Sequence, residues 1–203
     1  MTRFLHPRAA FLVSALLLAG AATAEGAATP NLYDRVSATL AKRTDLTELG
    51  KPAAEMRQVS WMLGTWQIEA SVAADAEKKV DRGTSVVASV LGGVWLQSTD
   101  SYPSGTQDMG LLTYNRVTRQ WVSTSIDSNG NSITAYAKSW DGERIVFLAE
   151  NIKVMGEPAT LRQVITRHGR DEFEIVNSER TGEATWTVLD RYVFRRSGAK
   201  AEH

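Results

Sequence analysis

There is no cysteine among these 203 residues. That excludes disulfides, thiolate metal sites and cysteine nucleophiles. It also excludes the lipoprotein route of export, which needs a Cys at the cleavage point. Stability has to come from burial alone, and a chain of this length can bury a sufficient core. Histidine is nearly as scarce: His6, His168 and His203 are the whole set. A zinc site asks for three or four N or S donors, more than one interior His can supply, so no metal is expected. No G-x-S-x-G elbow is present, and Gly92-Gly93 joins two apolar segments without opening a helix, so serine-hydrolase and phosphate-loop chemistry lack their motifs. Serines such as Ser123, Ser125 and Ser128 read as outward or rim positions. Neither charge prevails, with 23 basic and 23 acidic residues. Nothing supplies the concentrated positive field that a nucleic acid would require.

What is there begins with an export pattern. Arg3 and Arg8 precede an apolar run from Ala9 to Leu18, and Ala22-Thr23-Ala24 has the small-x-small form of a cleavage site. The run is shorter than the roughly 20 apolar residues of a membrane span, so a cleaved signal over residues 1–24 is expected and no lasting membrane insertion after it. Removing it leaves 21 basic and 23 acidic residues, a net charge of −2. The expected compartment is the periplasm or the exterior. Oligomeric state is not encoded in any pattern here.

Residues 25–59 read as a flexible start and short N-terminal helices, with Leu32, Val36, Leu40, Leu46 and Leu49 at roughly helical spacing. Gly50-Lys51-Pro52 breaks that segment, and Pro52 suits the first turn of a second helix reaching about Val59. The role expected for these helices is to close one end of the following domain or to pack on its outside. From residue 60 to 196 the period is two. Strand-like segments are separated by turn signals such as Gly92-Gly93, Asn115-Arg116, Asn129-Gly130-Asn131, Asp141-Gly142, His168-Gly169-Arg170 and Thr181-Gly182. This predicts an all-β antiparallel meander of about 8–10 strands, followed by a disordered tail at 197–203. Closing a meander into a barrel removes its edges; a two-sheet sandwich has the same periodicity and stays open at this point.

Gly64-Thr65-Trp66 resembles the Gly-x-Trp signature of lipocalin-like (calycin) barrels. That resemblance implies a Trp closing one end of the barrel under a basic residue of the last strand. Arg191, Arg195 and Arg196 are the residues on offer, with Gly64, Trp66 and Arg191 taken as the structural signature. Val90 to Leu96, Gly110 to Asn115, Trp121 to Ser128, Arg162 ahead of Val164, and Val188-Leu189-Asp190 together resemble one exported bacterial family, domain of unknown function 1579, placed among the calycin-like barrels. The resemblance spans about residues 60–196. It implies the fold, not an activity. A related barrel type holds haem through a proximal His near its mouth; only His168 could serve, and it falls in a turn, so no cofactor is expected.

The residues of interest are polar ones in the apolar phase of a strand. If Trp186, Val188, Asp190, Tyr192 and Phe194 share the interior face, Asp190 is inside, as are Gln163 and Asn177 on neighbouring strands. An interior carboxylate needs a partner or a proton. Arg162 and Arg191 are candidates, each in the opposite phase. Asp190 is either an anchor fixing a strand or a polar contact in a cavity, where burial raises its pKa. Asp127 either caps a turn or guards the mouth. Six tryptophans supply core, end-plugs and pocket walls. The expected ligand contacts are Trp95, Trp121, Tyr136, Arg162, Gln163, Asn177 and Trp186.

Three functions fit. The first is an exported binding protein for a small apolar or amphipathic molecule. The second is a cofactor-independent isomerase, cyclase or lyase using Asp190 or Asp127 with Tyr114 or Tyr192 for proton transfer. The third is a filled barrel serving as a protein-interaction module.

Overall fold

The computed structural model describes residues 31–43, 48, 50–73 and 79–198. The expected signal segment, the start of the mature chain before Asn31, Leu46, Leu49 and most of the C-terminal tail lie outside the described residues. The chain divides into two units, Met1–Thr44 and Asp45–His203. The first contains helix α1 (Leu32–Ala41), started by a capping box. Asn31 Oδ1 accepts from the Asp34 amide at 3.1 Å, and Asp34 Oδ2 accepts from the Asn31 amide at 3.3 Å.

The second unit is a closed barrel of ten antiparallel strands in simple sequential order. The strands are β1 (Gly64–Val72), β2 (Val80–Val90), β3 (Trp95–Ser101), β4 (Gln107–Asn115), β5 (Gln120–Asp127), β6 (Ser132–Ala137), β7 (Arg144–Val154), β8 (Glu157–Arg167), β9 (Glu172–Arg180) and β10 (Trp186–Arg196). The last strand pairs with the first from Trp66↔Arg196 to Val72↔Asp190, so no edge is left and the sandwich alternative falls away. Alternation delivers the core. Trp66 and Ile68 of β1, Ile145, Phe147 and Ala149 of β7, and Phe173 of β9 are buried at every second position.

One end of the barrel is plugged by a 3₁₀ segment, Ala54–Met62, whose Met56, Val59 and Met62 are buried in the barrel core. Trp66 Nε1 donates to the Met62 carbonyl at 2.8 Å, which ties the plug to β1. Trp61 packs edge-on against Phe173 and tilted against Trp140. Arg116, in the β4–β5 turn, donates to the carbonyls of Glu48 and Pro52.

The basic residue over Trp66 is Arg196, 4.2 Å from its ring centroid. This corrects the assignment of Arg191. Arg196 shares the interior phase of Phe194 and Tyr192, whereas Arg191 has the outer phase and pairs there with Glu174 at 2.5 Å. Gly64 makes the arrangement possible. Its φ of +127° is open to glycine, and a Cβ there would lie 2.8 Å from the Arg196 guanidinium.

The alternation expected along β10 does not run unbroken. Val188 pairs with Ser178 and Asp190 with Asn177, so Leu189 is an extra residue, a bulge. Because Asn177 and Ser178 point to opposite faces of β9, Val188 and Trp186 lie outside while Asp190, Tyr192 and Phe194 lie inside. Trp186 stacks on the outer face against Arg162, 4.4 Å from the guanidinium, with Arg180 at 5.8 Å.

Candidate functional site

Away from the plug the barrel is hollow, with a cavity of about 340 Å³. Its deep half is apolar, with Met62, Val87, Leu96, Leu112, Ile165, Phe173 and Phe194 contributing the wall. The outer half is polar. Asp100 of β3, Asp108 of β4, Asp127 at the end of β5 and Asp190 of β10 all line it, with Tyr192, Gln163 and Asn177. The polarity comes from the same period-two rule that builds the core. On β3, Leu96, Ser98 and Asp100 share the inner face; on β4, Leu112, Gly110 and Asp108 do. Each strand therefore turns from apolar to polar towards the same end of the barrel.

A chain of side-chain hydrogen bonds crosses the polar half. Ser123 Oγ donates to Gln163 Oε1 at 3.1 Å, Gln163 Nε2 to Asn177 Oδ1 at 3.3 Å, and Asn177 Nδ2 to Asp190 Oδ1 at 2.7 Å. Strands β6 and β7 separate β5 from β8 in the sheet, so the first of these bonds spans the interior rather than following the ladder. Asp190 takes Asn177 as its partner, not an arginine. Burial pushes its carboxyl above the usual range, and the Asn177 bond opposes that shift.

Asp100 is the most perturbed acid of the site. Burial pushes its carboxyl up to about 6; the Ser85 hydroxyl dipole opposes the shift and nearby Asp108 adds to it. Ser85 and Asp100 face each other across β2 and β3, yet Ser85 Oγ and Asp100 Oδ1 are both buried without a hydrogen-bond partner. Asp108 is also raised, first by burial and then by Asp127. Tyr192 is raised by burial and by Asp190, Asp108 and Asp100, so its hydroxyl stays protonated. Tyr102, just past β3, is raised in the same way and lies against Gly83, where a Cβ would come within 2.7 Å of its ring.

Asp127 behaves differently. Its carboxylate accepts from Asn131 Nδ2 at 2.9 Å and from the Asn131 and Asn129 amides at 3.0 and 2.8 Å. Those bonds, the Asn131 side chain first, hold its pKa below the usual range. It is a turn cap that also sits at the mouth.

Of the residues singled out in the sequence, the cavity brings together Asp127, Gln163, Asn177, Asp190 and Tyr192. Tyr114 packs edge-on against Trp121, which is fully buried core, and neither reaches the cavity wall. Trp95 also lies outside that wall. Tyr136 is half exposed and pairs with Leu148 on the outer face, and Arg162 and Trp186 stack outside. Ser123 and Ser125 are not outward residues. They share the phase of buried Trp121 and line the cavity, opposite Leu112 and Gly110. Asp100, Asp108 and Ser85 were missed, although each is a polar residue in an apolar phase, the signal that picked out Asp190. His168 sits in the β8–β9 turn, 4.0 Å from Glu174 and off the cavity wall. Among the described residues no three His, Asp or Glu side chains are placed to hold a metal ion.

A family model described as protein of unknown function (DUF1579) matches residues 51–196. No curated protein sequence matches the chain. Among solved structures, Rv2717c from M. tuberculosis is similar, at 14% identity and a TM-score of 0.50 over 71% of this chain and 98% of that one. A redesigned β-barrel, mFAP1, bound to DFHBI, is 15% identical, with a TM-score of 0.31 over 69% of this chain and 99% of that one.

Proposed function

This chain belongs to the DUF1579 family, and from the hollow barrel it builds on that family's sequence we propose that it is a small-molecule-binding protein. The observation that carries this reading is the cavity. At about 340 Å³ it lies within the roughly 300–1,000 Å³ range of ligand pockets, and it joins an apolar floor to a few placed polar groups. A barrel packed solid for an outer-surface role would fill this volume with side chains. Here Gly110, Ser98, Ser123 and Ser125 leave it open.

We also propose that the protein works outside the cytoplasm, on the strength of the Arg3–Ala24 export pattern. Acid–base catalysis by Asp190 and Tyr192 is the weaker reading. The hydrogen bond of Asp190 runs to Asn177, and among the described residues none joins a cavity aspartate to a tyrosine.

Native mass spectrometry of the protein recovered from its expression host tests both proposals. A mass beginning at residue 25 supports export with cleavage, and the full-length mass in an exporting bacterium overturns it. A co-purifying small mass lost in Ser125→Phe, whose ring would occupy the cavity, supports binding there. Equal retention by the variant, or no small-molecule adduct under any loading condition, overturns it.

A further inference from the structure

The charge of the occupant can be read from the cavity wall. Four carboxylic acids line it, and among the described lining residues there is no lysine, arginine or histidine. Asp108 stands directly opposite Asp100 on one side and Asp127 on the other. Asp190, Asp108 and Asp100 line one space together with Tyr192. The outer surface of the same barrel follows another rule. Glu69 meets Arg82 and Arg195, Glu174 meets Arg191, and Glu172 meets Arg195. Among the described residues none of the four interior carboxylates is paired with a cation.

A separate observation points to a missing partner at the same place. Ser85 is fully buried, lines the cavity beside Asp100, and its hydroxyl has no hydrogen-bond partner. Asp100 Oδ1 is likewise buried and unpartnered. Buried polar atoms are nearly always satisfied; the Ser85 hydroxyl is the neighbouring donor to Asp100 and offsets only part of its burial, so the carboxylate facing the void still has a place for a donor from a guest. An anion would be repelled by the aspartates. A neutral hydroxyl would bond to one of them but leave the shared charge in place. A metal ion lacks a set of converging ligands among the described residues.

We propose that the cavity takes an amphipathic organic cation, a protonated amine whose ammonium lies among Asp100, Asp108 and Asp190 and whose apolar body rests on Leu96, Leu112, Ile165, Phe173 and Phe194. The inference rests on the binding-protein reading and adds the ligand's chemical class. The ammonium donates to the unpartnered Asp100 oxygen and replaces the missing countercharge of the wall, while its body meets the apolar floor. Binding is therefore coupled to protonation. Asp108 of β4 stands opposite Asp100, Asp190 of β10 lines the same space, Asp81 stands on β2, and burial keeps Tyr192 and Tyr102 neutral, so the groups around it are acids and neutral phenols. Affinity then falls as pH drops through about 6, where Asp100 takes up a proton.

The test is calorimetric titration of the full chain with hexylamine, cyclohexylmethylamine and 4-phenylbutylamine, each beside the alcohol and carboxylate of the same skeleton, at pH 7.5 and 5.0. At least one amine is expected to bind at pH 7.5 tenfold or more tightly than its alcohol, with its carboxylate silent. Asp100→Asn and, separately, Asp108→Asn should each lower amine affinity about tenfold and leave alcohol affinity unchanged. The amine preference should shrink at pH 5.0. If alcohols bind as tightly as amines and neither variant changes this, the charge inference is overturned while the binding cavity stands. If no compound of any class binds the folded wild-type protein, both fall.

Discussion

Arg196 lies across the ring of Trp66 at 4.2 Å, and the same guanidinium donates to the carbonyls of Leu63 at 3.0 Å and Trp61 at 2.7 Å and to Asp171 at 3.0 Å. One side chain thus joins the first strand, the last strand, the plug and the β8–β9 turn. The planar fork is what allows this, since an ammonium cannot stack and donate in several fixed directions at once. Arg196→Ala is expected to cost about 2–4 kcal/mol, from the cation–π contact and the orphaned carbonyls. Arg196→Lys should recover less than half of it. Urea unfolding midpoints measure both, and a loss under 1 kcal/mol for the alanine variant would show that the plug is held by packing alone.

Asp100 makes stability depend on pH in an unusual direction. Its folded pKa is raised to about 6, above the unfolded value, so the folded state holds the extra proton between about 4 and 6. Stability from this group is therefore greatest below about 4 and is lost as pH rises through 6. Asp108 and Asp190 shift the same way, whereas Asp127 and Asp141 are lowered and act only below about 4. The protein should be more stable at pH 5 than at pH 7.5, and Asp100→Asn should gain about 1–3 kcal/mol at pH 7.5 and little at pH 4. Thermal unfolding across pH 4–8 reads this. A wild-type midpoint that rises steadily to pH 8 contradicts it.

Asn177 is the link through which the interior chain reaches Asp190. Asn177→Leu strands Gln163 Nε2 and Asp190 Oδ1, and the expected loss is about 2 kcal/mol at pH 7.5. The loss should shrink at pH 5, because an Asp190 without its amide donor takes up a proton more readily. A loss that is equal at both pH values would mean that Asn177 acts by shape.

Gly83 sits where a Cβ would come 2.7 Å from both the Ser101 carbonyl and the Tyr102 ring. Gly83→Ala is an overpacking change, expected to cost about 1–3 kcal/mol. The ring of Tyr102 has to move, which a tyrosine fluorescence or NMR shift should register. Unchanged stability and spectrum would place Tyr102 elsewhere.

The barrel was legible because its rule is binary. Alternation from Trp66 onward, broken by Asn115-Arg116, Asn129-Gly130 and Asp141-Gly142, is enough to predict sequential antiparallel strands. Closure was not written in that period, since a sandwich alternates too; it appears only when Val72 is found opposite Asp190. The inner positions of Asp190, Gln163 and Asn177 followed from phase. The same test overlooked Asp100 and Asp108, because Ser98 and Gly110 between them and the apolar run blur the pattern. Placing Trp186 failed for a local reason. The bulge at Leu189 reverses the face of everything before it, and one extra residue leaves no mark in composition. Arg196 was distinguishable from Arg191 and Arg195 by phase, since of the three it alone is in step with Tyr192 and Phe194.

The pairing of Trp66 with Arg196 also sets an order of events in time. These positions stand 130 residues apart, so β1 keeps one side unpaired until almost the whole chain exists. Asp190, Tyr192 and Phe194, which complete the cavity wall, belong to the strand that arrives last. The cavity wall is thus complete only once β10 is in place beside β1.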